Sequence, residues 1–495
     1  MLTATVHNCS KKFRLGEGKK HLERSVASAF RELGVCETVE SDHDVLWGEQ
    51  WDWAWEPRRR NSFNYKHGNL VNTIPGFQDT RTNAPVGLAR MHVACTERCG
   101  PDRARAWCAY TKRAFCITRL GSEVSSGVAD FYKYSMALAL EQGVKLPLFW
   151  IIKKQRRSYG SHFVRIVALR RRDLMSNGNF ERWINVSIPE GHWAIQEYVK
   201  RPLTYRARKV DVRAWGLVTS INPLRVYLLD GAFPKVSTFA YNGSTTQLAN
   251  ECMHVIMPLG EGCMAYADQL VRPYPPSTRS RLFFEHIRGD RSKIAVNWTE
   301  TWAEEVWPQI VIKTLMVLIE SRSQPLKLDR LIKGARRGRK RFLFLSPDFV
   351  IDANGGAHMV DLNANGLMIG DQYAELFDVQ NETKAAMVML GVTGFPSAPE
   401  YAAELRAAIG DFCSQVAPCD GEDKAALAEL VHEERHMSNG WTRIFPSELL
   451  SRHWGSLDHS IRKGDRATLT AQDKLTDAFI RTTWRPGHGG DQYVS

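Results

Sequence analysis

Residues 342–363 read FLFLSPDFVIDANGGAHMVDLN, and this stretch determines the fold that we expect. Phe342–Leu345 and Phe349–Ile351 are short apolar runs of the kind that form β-strands. Asp352–Gly356 follows them and is composed of residues that favour turns. The stretch therefore predicts an antiparallel β-hairpin.

The register of this hairpin places acidic side chains together. If Asn354–Gly355 form the loop of a type I′ turn, Asp348 lies directly across from Asp361, with Cβ atoms about 5 Å apart. Asn363 is two residues further along and shares their face. Like charges opposite each other destabilise a sheet, and three oxygen-bearing side chains suit Mg²⁺. The alternative is a solvent-facing edge hairpin whose charges point into water.

Two other segments carry charge in a regular arrangement. In KVDVR, charged Lys209, Asp211 and Arg213 alternate with valines, so all three project from one side of a strand. Such a set can hold phosphate oxygens, although a solvated strand face would read the same way. Lys153 ends an apolar strand and is followed by the basic loop Lys154–Gly160, which offers a point charge and donors for phosphates.

Composition narrows the class of protein. The chain has 495 residues, of which 43% are hydrophobic and 24% charged, so we expect two or three globular domains. Its net charge of +12 favours a polyanionic partner: nucleic acid, an anionic membrane surface or an acidic protein tail. Ten cysteines without regular spacing predict reduced thiols in an intracellular protein. No apolar run reaches ~18 residues, so we expect a soluble protein without a membrane span.

Changes in sequence character divide the chain. We expect strands at Leu148–Ile152, Phe163–Leu169, Trp193–Val199, Val210–Thr219 and Leu224–Leu229, and helices at His21–Leu33 and Trp302–Ser321. The predicted domains are a polar lead-in (1–45), an N-terminal α/β domain (46–145), a central domain (146–200), a C-terminal domain (201–375) and a helical extension with a frayed tail (376–495).

The order and spacing of these motifs resemble the tubulin–tyrosine ligase-like family over roughly residues 145–370. The segments that carry the resemblance are Trp150–Lys153, Trp193–Val199, Lys209–Arg213, Pro223–Leu228, Asp230–Gly231, Met253–His254, Pro347–Phe349 and Val360–Asn363. The resemblance implies an α/β (α+β) fold: an ATP-grasp core, in which two α/β units clamp ATP, with a small N-terminal domain and a helical C-terminal extension.

The resemblance also implies roles for individual residues. The residues expected to bind ATP are Lys153, Gly160, Gln196, Glu197, Tyr198, Val199, Lys209 and Asp211. Those expected to act in catalysis are Arg213, Lys235 (where the family usually has arginine) and His254. Those expected to bind Mg²⁺ are Asp348, Asp361 and Asn363.

This chain departs from the family pattern at several positions. Asp361 replaces a glutamate and is one methylene shorter. Met257 stands where an asparagine is usual, and His162 replaces the second glycine of the phosphate loop. An upstream lysine expected after Pro75–Gly76 is not evident.

The activity implied is ATP-dependent joining of a free amino acid to a protein carboxylate through an acyl-phosphate. Tubulin or microtubules, with their acidic tails, are the implied partner, in the cytoplasm, the cytoskeleton or a cilium. The string Val218–Leu228 with Met253–His254 favours a glutamate-adding member. The alternatives are glycine or tyrosine addition, or a weakened microtubule-binding protein that retains the fold.

Three other signals are weaker. His432–His436 reads HEERH and fits a zinc-peptidase pattern, but its charged Glu434 suggests a solvated helix. Lys333–Arg341 is basic, but no aromatic platform accompanies it, so nucleic-acid binding is not favoured. The cluster from Cys95 to Cys116 lacks the paired spacing of a zinc site.

Overall fold

The computed structural model describes residues 11–15, 24–37, 45–47, 70–72, 88–89, 91–97, 108–120, 123–124, 127–141, 146–154, 164–205, 207–229, 232–244, 251–254, 305–322, 340–364, 379–392, 399–438, 440–446 and 470–483. Within these ranges, helices pack against two β-sheets, as an α/β fold requires.

The strands are β1 (Lys11–Leu15), β2 (Val35–Glu37), β3 (Val45–Trp47), β4 (Leu70–Asn72), β5 (Ala114–Leu120), β6 (Glu123–Val124), β7 (Leu148–Lys154), β8 (Val164–Leu169), β9 (Gly191–Glu197), β10 (Thr204–Tyr205), β11 (Arg208–Arg213), β12 (Gly216–Ile221), β13 (Leu224–Leu229), β14 (Phe233–Ala240), β15 (Lys340–Ile351), β16 (Ala357–Ala364) and β17 (Trp441–Phe445). The helices are α1 (Arg24–Glu32), α2 (Gly127–Leu140), α3 (Arg171–Leu174), α4 (Asn177–Ser187), α5 (Glu251–His254), α6 (Trp307–Ser321), α7 (Val379–Met389), α8 (Pro399–Gln415), α9 (Gly421–His436) and α10 (Ala471–Thr482).

The smaller sheet has five antiparallel strands in the order β6-β5-β9-β7-β8. Helices α2, α3 and α4 cover one face, where Phe131 of α2 packs edge-on against Trp150 of β7 at 4.7 Å between ring centroids. Strand β5 and helix α2, which the sequence assigned to the domain before residue 146, therefore share a core with β7–β9.

The larger sheet has twelve strands and is organised around β15. The first half of β15 pairs with β12, and Asp348–Val350 in its second half pair with β11. Strand β14 extends the sheet beyond β11, and β16 pairs along the other edge of β15. Strands β1 to β4 join in parallel at the start of β15. The predicted single strand Val210–Thr219 is two strands, β11 and β12.

Alternating side chains of β15 serve two separate cores. Leu343 and Leu345 pack with α6 on one face, whereas Phe342 and Phe344 pack with α1 and α7 on the other. A strand buried on both faces shows no polar alternation, which is why FLFL reads as a continuous apolar run.

The hairpin of β15 and β16 has the predicted pairing but a different turn. Gly355 has φ +84° and donates its N–H to the Asp352 carbonyl at 3.0 Å. Asn354 does not have the positive φ that a type I′ turn requires, so that prediction is wrong. The loop is one residue longer, and a bulge at Val360 compensates for it, so Asp348 still pairs with Asp361.

The predicted lead-in and the predicted helical extension both pack against the rest of the fold, which the sequence did not predict. The predicted lead-in contains β1, α1 and β2, and α1 packs against α7. The predicted helical extension contains α7 to α10, but it also adds β17 to the large sheet beside β13. The expected frayed tail from Trp484 lies outside the described residues.

The prediction of reduced thiols is wrong for five described cysteines, because Cys36, Cys95, Cys108, Cys413 and Cys419 are disulfide-bonded. Disulfides join Cys95 to Cys108 and Cys413 to Cys419, with Cα atoms 5.9 and 5.2 Å apart. Spacing along the chain could not show this because the fold brings each pair together. No helix in the described ranges combines the length and the apolar character needed to cross a bilayer.

Candidate functional site

Strand β11 presents its charged residues on one face of the large sheet. Val210 and Val212 are buried in the core on the α6 side, so Lys209, Asp211 and Arg213 project from the opposite face, as the alternation predicted. Lys209 and Asp211 form an ion pair at 2.8 Å between Nζ and Oδ1.

Asp348 is the centre of the site. Arg213 holds its two carboxylate oxygens in a bidentate pair, with Nε and Nη2 each 2.7 Å away, and the Lys235 ammonium lies 3.1 Å from Oδ2. Burial opposes ionisation of this carboxyl, but the two cations prevail and lower its pKa to about 2. Asp348 is therefore a carboxylate at any physiological pH.

Asp361 faces Asp348 across the hairpin, but neighbouring cations stabilise its charged form much less. Burial raises its pKa, the negative charge of Asp348 raises it further, and the result is a pKa of about 6. Its Oδ1 accepts a hydrogen bond from the Leu362 N–H at 2.9 Å. Asn363 lies opposite Ser346, whose buried hydroxyl has no hydrogen-bond partner among the described residues. Among the described residues, the Ser346 hydroxyl is thus an oxygen at this end of the hairpin that could bind a ligand.

Lys153 reaches the site from the smaller sheet. It stands near the end of β7, and its ammonium donates to the Val360 carbonyl at 2.7 Å and to Gln196 Oε1 at 3.0 Å. Burial lowers the pKa of Lys153 to about 8, although Asp361 opposes this shift. The Lys153 ammonium therefore links β7 of the smaller sheet to the Val360 carbonyl of β16 in the larger sheet.

His254 joins the site through its main chain. Its carbonyl oxygen accepts from the Lys209 ammonium at 2.8 Å, while its ring lies between Tyr198 and Tyr241, with Nδ1 2.9 Å from the Tyr198 hydroxyl. Burial raises the pKa of Tyr198, and Tyr241 adds to the shift. The imidazole is thus packed between two tyrosine rings, and only the carbonyl oxygen of His254 contacts Lys209 in the hydrogen bonds described here.

The segment Gln196–Val199, whose residues are expected to bind ATP, divides its side chains between two faces of the sheet. Gln196 points toward Lys153, whereas Glu197 accepts a hydrogen bond from Tyr134 of α2 at 3.2 Å. Tyr198 and Val199 are buried. The carboxylate of Glu197 is therefore directed away from the other site residues. The predicted positions Gly160, His162 and Met257 lie outside the described residues.

The charges in this cleft suit an anionic ligand. Among the described residues, four cations (Lys153, Lys209, Arg213, Lys235) meet three carboxylates (Asp211, Asp348, Asp361), and five of these seven side chains are buried. An excess of buried positive charge is costly unless an anion offsets it, and phosphate groups would do so.

The same cleft has a donor set for a divalent cation. Within the described part of the chain no three His, Cys, Asp or Glu side chains are grouped to hold a metal ion. Asp348, Asp361 and Asn363 instead offer two carboxylates and an amide on one face. This set fits Mg²⁺, which binds one or two carboxylates and takes its other ligands from phosphate and water.

The HEERH segment has a different role. It lies at the end of α9, where the Glu433 carboxylate is fully buried and accepts from Thr219 at 2.8 Å and Tyr227 at 3.0 Å. His432 contacts the Val388 carbonyl, and His436 contacts the His432 carbonyl. The segment therefore connects α9 to strands β12 and β13 of the large sheet and to α7.

Two sheets that are connected by buried lysines, an arginine and paired carboxylates form an α/β fold of the ATP-grasp-like class. Residues 127–256 match the model of the tubulin-tyrosine ligase family, which confirms the resemblance over this segment. The match includes Lys153, Lys209–Arg213 and Lys235, and it ends before the hairpin.

Individual relatives align over short segments. A tubulin polyglutamylase of Caenorhabditis elegans is 32% identical over 102 residues, which is 20% of this chain and 17% of the relative. A tubulin polyglutamylase of Mus musculus is 26% identical over 175 residues, which is 35% of this chain and 23% of the relative. A tubulin monoglycylase of Homo sapiens is 34% identical over 89 residues, which is 18% of this chain and 11% of the relative. The aligned region thus spans less than a quarter of each of these relatives.

Proposed function

We propose that this protein is an ATP-dependent ligase that joins a free amino acid to a carboxylate of tubulin or another acidic protein. The observation that carries the proposal is the meeting of Arg213 and Lys235 with Asp348, beside Asp361 and across from Lys153. Phosphoryl transfer depends on charge stabilisation and positioning, and this arrangement would provide both.

The cationic side chains would bind the nucleotide. Lys153 and Lys209 would contact ATP phosphates, and the main chain at Gln196–Val199 would hold adenine. Asp348, Asp361 and Asn363 would hold Mg²⁺, which would neutralise phosphate charge and align the β- and γ-phosphates. Asp211 would orient Lys209, with which it is paired at 2.8 Å.

The proposed reaction has two steps. A carboxylate oxygen attacks the γ-phosphorus of ATP, the bond to the β-γ bridging oxygen breaks, and ADP leaves. The amine of the second substrate then attacks the acyl carbon of the acyl-phosphate, inorganic phosphate leaves and the amine loses a proton. Arg213 and Lys235, which contact Asp348, would offset the charge on the transferred phosphoryl group.

Glutamate is the amino acid we propose, and tubulin the acceptor. The names of the two polyglutamylases support glutamate, and the name of the monoglycylase makes glycine the second candidate. The net charge of +12 supports an acidic acceptor such as a glutamate-rich tail.

Incubation with tubulin, Mg-ATP and labelled glutamate, glycine or tyrosine in turn tests the proposal. We expect incorporation of glutamate, and loss of at least a hundredfold of the rate in Asp348→Asn. Asp411→Asn changes an exposed carboxylate on α8 and serves as the matched control. ATP binding without incorporation of any amino acid would contradict ligation and favour a binding protein that retains the fold.

A further inference from the structure

The segment 108–111, just before β5, is fixed on one side by the helical segment 91–97. A disulfide joins Cys108 to Cys95, and His92 Nδ1 lies 3.0 Å from the Cys108 carbonyl oxygen. All three side chains are buried. The segment therefore has a defined position before it reaches the cleft.

On its other side the segment holds strand β16 at the bulge. The Met359 N–H donates to the Tyr110 carbonyl at 3.0 Å, and the Thr111 hydroxyl donates to the Met359 carbonyl at 2.6 Å. Met359 immediately precedes Val360, the extra residue of the bulge, whose carbonyl accepts from Lys153.

The Thr111 hydroxyl also determines how Gln196 faces Lys153. A hydroxyl has one proton, and that of Thr111 is used on Met359, so toward Gln196 its oxygen can only accept. It accepts from the Gln196 amide nitrogen, which directs the amide oxygen to the Lys153 ammonium at 3.0 Å. The opposite amide orientation would place the amide oxygen against an oxygen that can only accept, and the amide N–H groups against the Lys153 cation.

We propose that Thr111 is a positioning residue that fixes the Lys153 ammonium in the site, by orienting Gln196 and by holding the Met359 carbonyl next to the bulge residue Val360. Of the two acceptors of Lys153 described above, the Gln196 oxygen is thus oriented by the Thr111 hydroxyl directly, and the Val360 carbonyl is positioned by it through the neighbouring Met359; Thr111 is 5% exposed. The inference rests on the proposed function only in that the ligand of Lys153 would be an ATP phosphate.

A double-mutant cycle tests whether Thr111 acts through Lys153. Thr111→Val removes the hydroxyl at nearly constant volume, Thr111→Ser keeps it, and each is made in the full chain with Lys153 or with Lys153→Met. Isothermal titration with Mg-ATP measures Kd. We expect valine to weaken binding about tenfold when Lys153 is present and less than twofold when it is absent. Serine should stay within about twofold of the wild type.

A second measurement does not require nucleotide. NMR of ¹⁵N-lysine-labelled protein, assigned with Lys153→Arg, follows the ammonium of Lys153 through its titration. Thr111→Val should lower the pKa of Lys153 further, because the freed amide no longer holds its oxygen toward the charge, whereas Thr111→Ser should not. If the valine variant does not fold, Thr111→Ala is used, since alanine fits any space that threonine fills.

The two measurements separate the positioning role from the ligase. A Lys153 titration that shifts in the valine variant, in a protein that binds no Mg-ATP, would support the positioning role and overturn the proposed function. An unchanged titration, or equal weakening of Mg-ATP binding with and without Lys153, would overturn the positioning role alone. Failure of serine to restore the wild-type values would also overturn it.

Discussion

The three charged side chains nearest the bulge differ in how well their charge is stabilised. Asp348 has two cations on its oxygens, and its pKa falls to about 2. In the described part of the chain no cation forms such a pair with Asp361, and burial beside Asp348 raises its pKa to about 6. Lys153 is desolvated, and its pKa falls to about 8. Perturbed groups that share a cleft are typical of functional sites.

Binding of Mg-ATP should weaken as the pH rises through about 8. Lys153 is protonated below this value and loses its charge above it, so its attraction for phosphate fades between pH 7 and 9. Titration calorimetry at several pH values measures this directly. Lys153→Arg keeps its charge throughout, so its affinity should be flat over that range; an equally steep decline in this variant would exclude Lys153 as the titrating group.

Asp361→Asn should stabilise the fold at neutral pH while removing activity. The folded pKa lies above the usual value of 3.8, so the penalty for the charged form appears as the pH rises from about 4 to 6 and is complete above that. Asparagine removes the penalty, and we expect a gain of about 1–2 kcal/mol at pH 7.5 and none at pH 4. Urea unfolding at both pH values checks it. Destabilisation at pH 7.5 would show that the carboxylate is well supported.

At the scale of elements, the hairpin shows what a sequence can and cannot predict. Apolar runs and a turn cluster were enough to find the two strands, and the alternation of KVDVR was enough to orient β11. The turn type was wrong because the Asp352 side chain accepts from the N–H groups of Asn354 and Gly356, which favours the longer loop. The bulge at Val360 has no sequence signal, yet it restores the predicted pairing.

The turn offers a matched pair of glycine substitutions. Gly355→Ala forces a side chain into the left-handed region at φ +84°, and we expect a loss of about 1–2 kcal/mol in urea unfolding. Gly410→Ala lies in an exposed turn of α8 with no atom within 4 Å of the added carbon, and should gain about 0.5–1 kcal/mol. Equal effects at both positions would show that Gly355 does not need its positive φ.

At the scale of the whole molecule, a buried network attaches the C-terminal helices to the large sheet. Arg225 of β13 pairs with Glu433 of α9 at 3.0 Å and with Glu429 at 2.5 Å, and Thr219 and Tyr227 complete the hydrogen bonds of Glu433. The sequence predicted helices here but not their attachment, because contacts more than 200 residues apart leave no local pattern. The hydrogen bond from Lys153 to the Val360 carbonyl could not be predicted for the same reason, since the two residues are 207 positions apart.

Breaking this network should weaken the whole fold. Glu433→Gln leaves the Arg225 guanidinium buried without its full counter-charge, and we expect a loss of about 3 kcal/mol in urea unfolding. Glu422→Gln, at an exposed position in the first turn of α9, is the control and should cost less than about 1 kcal/mol. A loss confined to α9, with the sheet unfolding at its original midpoint, would show that the helices form a separate unit.

Anomalous scattering from crystals grown with Mn²⁺ and a non-hydrolysable ATP analogue tests most directly whether this cleft binds a metal–nucleotide complex. We expect a peak about 2.0–2.2 Å from oxygens of Asp348, Asp361 and Asn363, bridged to the β- and γ-phosphates. A bound nucleotide whose manganese lies away from all three side chains would contradict the proposed site, and with it the ligase.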